Sequence, residues 1–146
     1  MGLLRTITLL VFVSFALHFV WEYSHVQLYV GYDHWSRGVP VYWLATVGDV
    51  LYTLGAFALV SAIKRTYDWI SELTVADYFM LVTLGFLIAL SVEYKGIALE
   101  RWQYLPEMPI IPVLNVGLSP ILEMSLLLPI SIFLTSVLHK IFVKAA

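Results

Sequence analysis

The sequence predicts an all-α integral membrane protein, with a single four-helix transmembrane bundle occupying residues 1–146. Three observations predict it. The chain is 61% hydrophobic and only 12% charged, with a mean hydropathy of +0.89, whereas a soluble domain is about a quarter charged. A chain this apolar has too little polar surface to cover its own core, so lipid must be its solvent. Four apolar stretches each reach the ~20 residues that a helix needs to cross a hydrocarbon core, and polar or proline-rich segments separate them.

The first stretch runs from Arg5 to Val30. Its start, MGLLRTITLLVFVSFAL, resembles a signal peptide in placing Arg5 before an apolar run. No small-residue cleavage pattern follows, and the run continues to helix length, so the segment is expected to stay as a helix. Gly31 to Pro40 (GYDHWSRGVP) is a turn-rich loop by composition. The second stretch is Val41 to Ile63. Lys64 to Thr74 (KRTYDWISELT) is a short charged loop in which Ser71 or Thr74 can cap the next helix. The third stretch is Val75 to Ala98, with an extension to Tyr104 left open because nothing breaks it before Pro106. Pro106 to Pro112 (PEMPIIP) cannot be helix interior, since each proline removes a donor and crowds the preceding turn. It is expected to fold as an ordered cap. The fourth stretch is Val116 to His139, with Pro129 inside it, a position neighbouring helices can tolerate in a membrane.

Lys and Arg set the orientation. Arg5, Lys64, Arg65, Lys140 and Lys144 lie on one side, against Arg37, Lys95 and Arg101 on the other. The balance places both termini in the cytoplasm, and the expected location is the plasma membrane of a prokaryote. Tyr32, Trp35, Tyr42, Trp43, Trp102 and Tyr104 then gather on the outer side, as interfacial aromatics do. The absence of cysteine excludes disulfides and thiolate chemistry. A formal net charge of -2 gives no support for a nucleic-acid partner.

Ionisable groups inside a membrane cost roughly 2.5–3.5 kcal/mol each on insertion scales and usually face the bundle interior. His18, Glu22 and His25 follow one another at i, i+4 and i+7 on one stripe, which Tyr29 extends. The second helix carries Asp49 with Thr46 and Thr53 on its side, the third Glu93, and the fourth Glu123 with Ser119 a turn away. Counted from the outer ends, all four carboxyls fall about 8–17 Å deep at ~1.5 Å per residue. They are expected to converge, with Glu93 and His25 nearer water and Arg101 pairing with Glu93, Glu100 or Glu123.

Several chemistries suit such a set. Buried polar groups can form a purely structural network. Glu22-x-x-His25 is half of the Glu-x-x-His pattern of carboxylate-bridged di-iron bundles, but the second half is missing. A mononuclear site on His18, Glu22 or His25 stays open, and no metal-binding set or cofactor is assigned. A His and a Glu one turn apart can also pass a proton to a lipophilic substrate, or belong to a proton or ion pathway in an oligomer.

His18 to Glu22 (HFVWE), Gly48 to Tyr52 (GDVLY) and Leu126 to Pro129 (LLLP) resemble segments of the EXPERA superfamily, the emopamil-binding and sterol-isomerase membrane proteins. The resemblance implies that His18 and Glu22 form an acid–base pair and that Asp49 meets a cation or polar group. Glu123 and the ERWQY segment before the proline-rich loop depart from that pattern. The chain also resembles small uncharacterised bacterial four-helix membrane proteins with a W-E on the first helix. The expectation is a pocket in the outer half of the bundle for a lipophilic small molecule. His18 and Glu22 would be catalytic, and His25, Tyr29, Asp49, Glu93, Arg101, Trp102 and Glu123 would bind the ligand, with isomerase-type proton transfer. Membrane lipids are the expected partners. A non-catalytic accessory subunit of a larger membrane complex, or a homo-oligomer, is the alternative.

Overall fold

The structure is a computed structural model that describes residues 2–31, 35–36 and 39–144. Tyr32 and Arg37 lie outside the described residues, and only the backbone of Trp35 is described. Four helices dominate: α1 (Leu3–His25), α2 (Val41–Lys64), α3 (Val75–Ala98) and α4 (Leu118–Lys144). All four are long and apolar enough to cross a membrane. The chain is therefore a multi-pass integral membrane protein whose apolar helix faces meet lipid.

Helix ends follow local chemistry. α2 stops at Arg65, which takes a left-handed conformation at φ 55° and returns its N–H to the Ala62 and Ser61 carbonyls. Thr74 opens α3 with a capping box: its hydroxyl accepts from the Asp77 N–H, and the Asp77 carboxylate accepts from the Thr74 N–H. α3 ends at Ala98 and does not run on to Tyr104. Glu100 turns left-handed (φ 52°), and the Arg101 N–H returns to the Gly96 carbonyl at 2.9 Å.

α1 stops at His25, five residues before the apolar run does. After a 3-10 turn at Val26–Leu28, the backbone is extended at Tyr29. It pairs there with Tyr104, through Val30 N–H to the Gln103 carbonyl and Leu105 N–H to the Leu28 carbonyl, both at 2.9 Å. These cross-chain bonds replace the next helical turn. The proline-rich segment forms backbone-bonded turns, with Met108 N–H donating to the Leu105 carbonyl at 3.0 Å and Leu118 N–H to the Pro109 carbonyl at 2.7 Å. β1 (Trp35–Ser36) pairs antiparallel with β2 (Val39–Pro40), and beyond α3, β3 (Ile110–Ile111) pairs antiparallel with β4 (Val116–Gly117). Met108 is buried beneath the second hairpin. Val116 thus belongs to a strand, and α4 begins two residues later.

α4 is the central helix: 56% of its spanning window is buried, against 22–33% for the others. It packs on α3 and α1, and α1 packs on α2. Gly85 permits the α3–α4 approach, since a Cβ there would lie 2.3 Å from the Met124 carbonyl oxygen. α2 and α3 barely touch. The bundle therefore has one open seam between its second and third helices.

Candidate functional site

The α2–α3 seam leads to the site. Each helix contributes one carboxyl: Glu22 from α1, Asp49 from α2, Glu93 from α3 and Glu123 from α4. All four line one cavity of about 460 Å³. Much of the remaining lining is apolar, from Val26, Val41, Ala45, Ile88, Ala89 and Met124. Tyr29, Arg101 and Trp102 line the end nearest the loops. A second hollow of about 320 Å³ lies along the α2–α3 seam and shares Tyr52, Ile88, Val92, Arg101 and Trp102 with the first. These shared residues stand between the cavity and the lipid-facing surface of α2 and α3.

His18 is fully buried and does not line the cavity. It stands behind Glu123, with Nδ1 2.8 Å from Glu123 Oε1 and 3.9 Å from Asp49 Oδ2. On its other side Nε2 lies 3.5 Å from the Thr53 hydroxyl. These partners fit an imidazole whose Nδ1–H donates to Glu123 and whose Nε2 accepts from Thr53. A proton on Glu123 donating to Nδ1 fits equally, with Nε2–H then donating to the Thr53 hydroxyl oxygen. Glu22 and Glu123 both line the cavity. The buried His18–Glu123 pair thus reaches the cavity through Glu123, with Glu22 as a second carboxyl in the same lining.

Asp49 differs from its neighbours. Its buried Oδ2 makes no hydrogen bond among the described residues, although Asp49 lines the cavity. One donor atom from each of His18, Asp49 and Glu123 lies within 4.8 Å of the others, close enough for a single cation to meet all three. The 2.8 Å separation of His18 and Glu123 is itself that of a direct hydrogen bond.

Glu93 is held from the loop. Its carboxylate accepts from Trp102 Nε1 at 3.2 Å and from the Tyr104 hydroxyl. Burial and the adjacent Glu93 both push the Tyr104 phenol above its ordinary value, so it remains a donor. Trp102 reaches Glu93 by lying across Gly96, where a Cβ would overlap its ring at 1.9 Å. Arg101, expected to pair with an acid, makes no ion pair among the described residues. The two loop aromatics take that place on Glu93.

His25 lies outside the cavity lining. Its ring stacks on Trp21 at a centroid distance of 4.6 Å, and Nδ1 meets the Trp21 carbonyl and the Ser24 hydroxyl. The Glu22-x-x-His25 half-motif therefore does not converge on one point. The Thr53 contact with His18 and the Tyr104 contact with Glu93 were not legible as such. Thr53 could be placed on the Asp49 side of α2 by periodicity, but no periodic signal positions Tyr104, which lies in a loop.

Fold and site together define a class: a multi-pass four-helix membrane bundle around a carboxyl-lined cavity. No family model, curated protein or solved structure matches the chain.

Proposed function

We propose that the cavity binds a lipophilic or amphipathic small molecule that enters from the bilayer between α2 and α3, and that its carboxyls carry out isomerase-type proton transfer. The observation that carries this reading is the cavity itself. A purely structural network needs its polar groups to meet only one another. Here four carboxyls border an open volume whose remaining lining is largely apolar, the pattern of a small-molecule site. The cost of burying the acids points the same way. Four at roughly 2.5–3.5 kcal/mol each is comparable to the 5–15 kcal/mol of net stability of an ordinary domain, and apolar residues would hold helices without that cost.

In this reading Glu22 and Glu123 face the ligand, and His18 is a positioning residue that stores and returns the Glu123 proton. One carboxylic acid protonates a carbon–carbon double bond, forming a C–H bond. The adjacent cation lies beside Asp49. A carboxylate then removes a proton from the neighbouring carbon, and the double bond moves. One proton is given and one taken, with no change of oxidation state. The likeness to EXPERA isomerases in His18, Glu22 and the GDVLY segment supports this chemistry. The chain sits in the plasma membrane of a prokaryote with both termini in the cytoplasm, on its Lys/Arg distribution.

Deuterium oxide tests it without naming the substrate. Purified protein is incubated in D2O with an extract of unsaturated membrane lipophiles, and the lipophiles are analysed by mass spectrometry. Protein carrying the native sequence should introduce deuterium into one class of alkene. Glu22→Gln should bind that class without labelling it. Gly48→Leu should bind none: Gly48 lines the cavity, and a Cβ added there would meet no atom within 4 Å, so the backbone accepts a side chain that takes up cavity volume. Labelling that persists in Glu22→Gln removes Glu22 from the chemistry. Binding unaffected by Gly48→Leu removes the cavity.

A further inference from the structure

Beyond His18 and Glu123, on the side away from the cavity, the bundle carries buried polar groups that the proposed chemistry does not use. α4 presents Ser131, Thr135 and His139, and α1 presents Ser14 and Thr6. Ser14, Thr6, Ser131 and Thr135 are each 0% exposed and His139 is 7% exposed. On both helices these side chains recur at four-residue intervals from the His18–Glu123 pair, with one gap each, at Leu10 and Leu127.

The two helices run alongside each other. His18 meets Glu123 near one end, and the Arg5 guanidinium lies 5.5 Å from the centre of the Phe142 ring at the other. Counting inward from His18 and Glu123, Ser14 falls near the level of Leu127, and Ser131 near that of Leu10. Each helix fills the other's gap, so a polar side chain recurs about every 6 Å from the cluster to His139.

The hydrogen bonding of the α4 groups is unusual for this protein. Ser14, Thr46, Ser61 and Ser91 each donate to the carbonyl four residues earlier, at 2.6–2.8 Å. Ser131 Oγ, Thr135 Oγ1 and His139 Nδ1 make no hydrogen bond among the described residues. Buried polar atoms are ordinarily satisfied by protein or by ordered water. Three unpartnered ones in a row on a single helix face are what a file of waters would bind. At the far end, Arg5 on α1 lies against Phe142 of α4 and is exposed, which puts a charged group at the end of the seam that carries His139.

We propose that this α1–α4 seam is a hydrated proton path joining the end of the bundle near Arg5 and His139 to the Glu123–His18 pair. A proton enters at His139, passes along the Thr135, Ser131 and Ser14 hydroxyls with waters between them, and reaches Glu123. One proton moves on from the cluster for each that arrives. The carboxyl set therefore exchanges protons with the face opposite the loops that cap the cavity. Its use in catalysis rests on the proton-transfer reading above, but its existence can be tested without a ligand.

The full chain is reconstituted in vesicles with pH set independently on the two sides, and insertion orientation is sorted by protease access to a C-terminal tag. A lipophilic carbodiimide, which reacts with protonated membrane carboxyls, is added after a pH jump on one side, and labelling of Glu123 and Glu22 is followed by mass spectrometry. Labelling should respond quickly to a jump on the His139 side. Thr135→Val should slow that response by about tenfold, the rate equivalent of one lost hydrogen bond. Thr135→Ser, which keeps the hydroxyl, should restore it. Thermal unfolding of Thr135→Val should show no loss of stability, because the replaced hydroxyl has no protein partner. A response only to jumps on the loop side, or an unslowed Thr135→Val, overturns the path. Deuterium transfer to lipophiles with no His139-side response leaves the cavity chemistry standing and ends this proposal alone. A His139-side response without deuterium transfer does the reverse.

Discussion

Glu22 and Leu127 separate two kinds of buried residue. Leu127 is buried in α4 and contributes through packing. Leu127→Ala should lower stability by about 2–5 kcal/mol without altering any bound ligand in the fraction that remains folded. Glu22 borders open volume, with Glu123 in the same lining. Glu22→Gln keeps the size and a hydrogen-bonding amide, so its unfolding midpoint in detergent should stay near that of the unsubstituted protein. A midpoint drop as large as that of Leu127→Ala would make Glu22 a structural residue. The convergence of the acids was legible at this scale because a membrane offers few other places for a charge, and because counting from helix ends gives depth. The roles within the set were not legible. Periodicity puts His18, Glu22 and His25 on one stripe, but it does not register that His25 stacks on Trp21 or that His18 sits behind Glu123.

At the scale of elements, apolar run length gave the four spans, and it misplaced ends where tertiary bonds compete with the helix. Val26 to Val30 continue the apolar run of α1, yet the bridge from Tyr29 to Tyr104 draws that backbone out of the helix. The partner strand lies some seventy-five residues away along the chain (Tyr29 to Tyr104), and no local pattern announces it. Glycines show the same limit. Gly55 has no neighbour within 4 Å of an added Cβ, whereas Gly85 sits against the Met124 backbone. Gly55→Ala should be neutral or stabilise by about 0.5–1 kcal/mol through helix propensity. Gly85→Ala should destabilise by about 1–3 kcal/mol, the cost of overpacking, because a backbone carbonyl cannot rotate aside. Paired thermal unfolding of the two variants checks this. Equal midpoints would mean that α3 and α4 do not approach through Gly85.

For the molecule as a whole, the uneven packing of the four helices decides where a ligand can enter. α4 touches both α1 and α3, α1 touches α2, and the contact between α2 and α3 is slight. At the loop end, Tyr29, Gly31, Arg101 and Trp102 line the cavity, and the backbone of Tyr29 pairs with that of Tyr104. Among the described residues the weakly packed side is the α2–α3 seam, where a hollow lies beside Tyr52 and Trp102. Nothing in a hydropathy pattern distinguishes this opening from a closed bundle, because Ile88 and Val92 look alike facing a cavity or facing lipid. Trp102 can report the difference directly. In a variant that keeps Trp102 as its only tryptophan, bilayers with brominated acyl chains should quench its fluorescence strongly, and aqueous acrylamide should quench it weakly. Addition of a ligand that fills the cavity should reduce the bromolipid quenching, since Trp102 lines both the hollow and the cavity. Strong acrylamide quenching with none from bromolipid would place the mouth in water at the capped end. The route between α2 and α3 would then be wrong, and the bound molecule would have to be sought among water-soluble compounds.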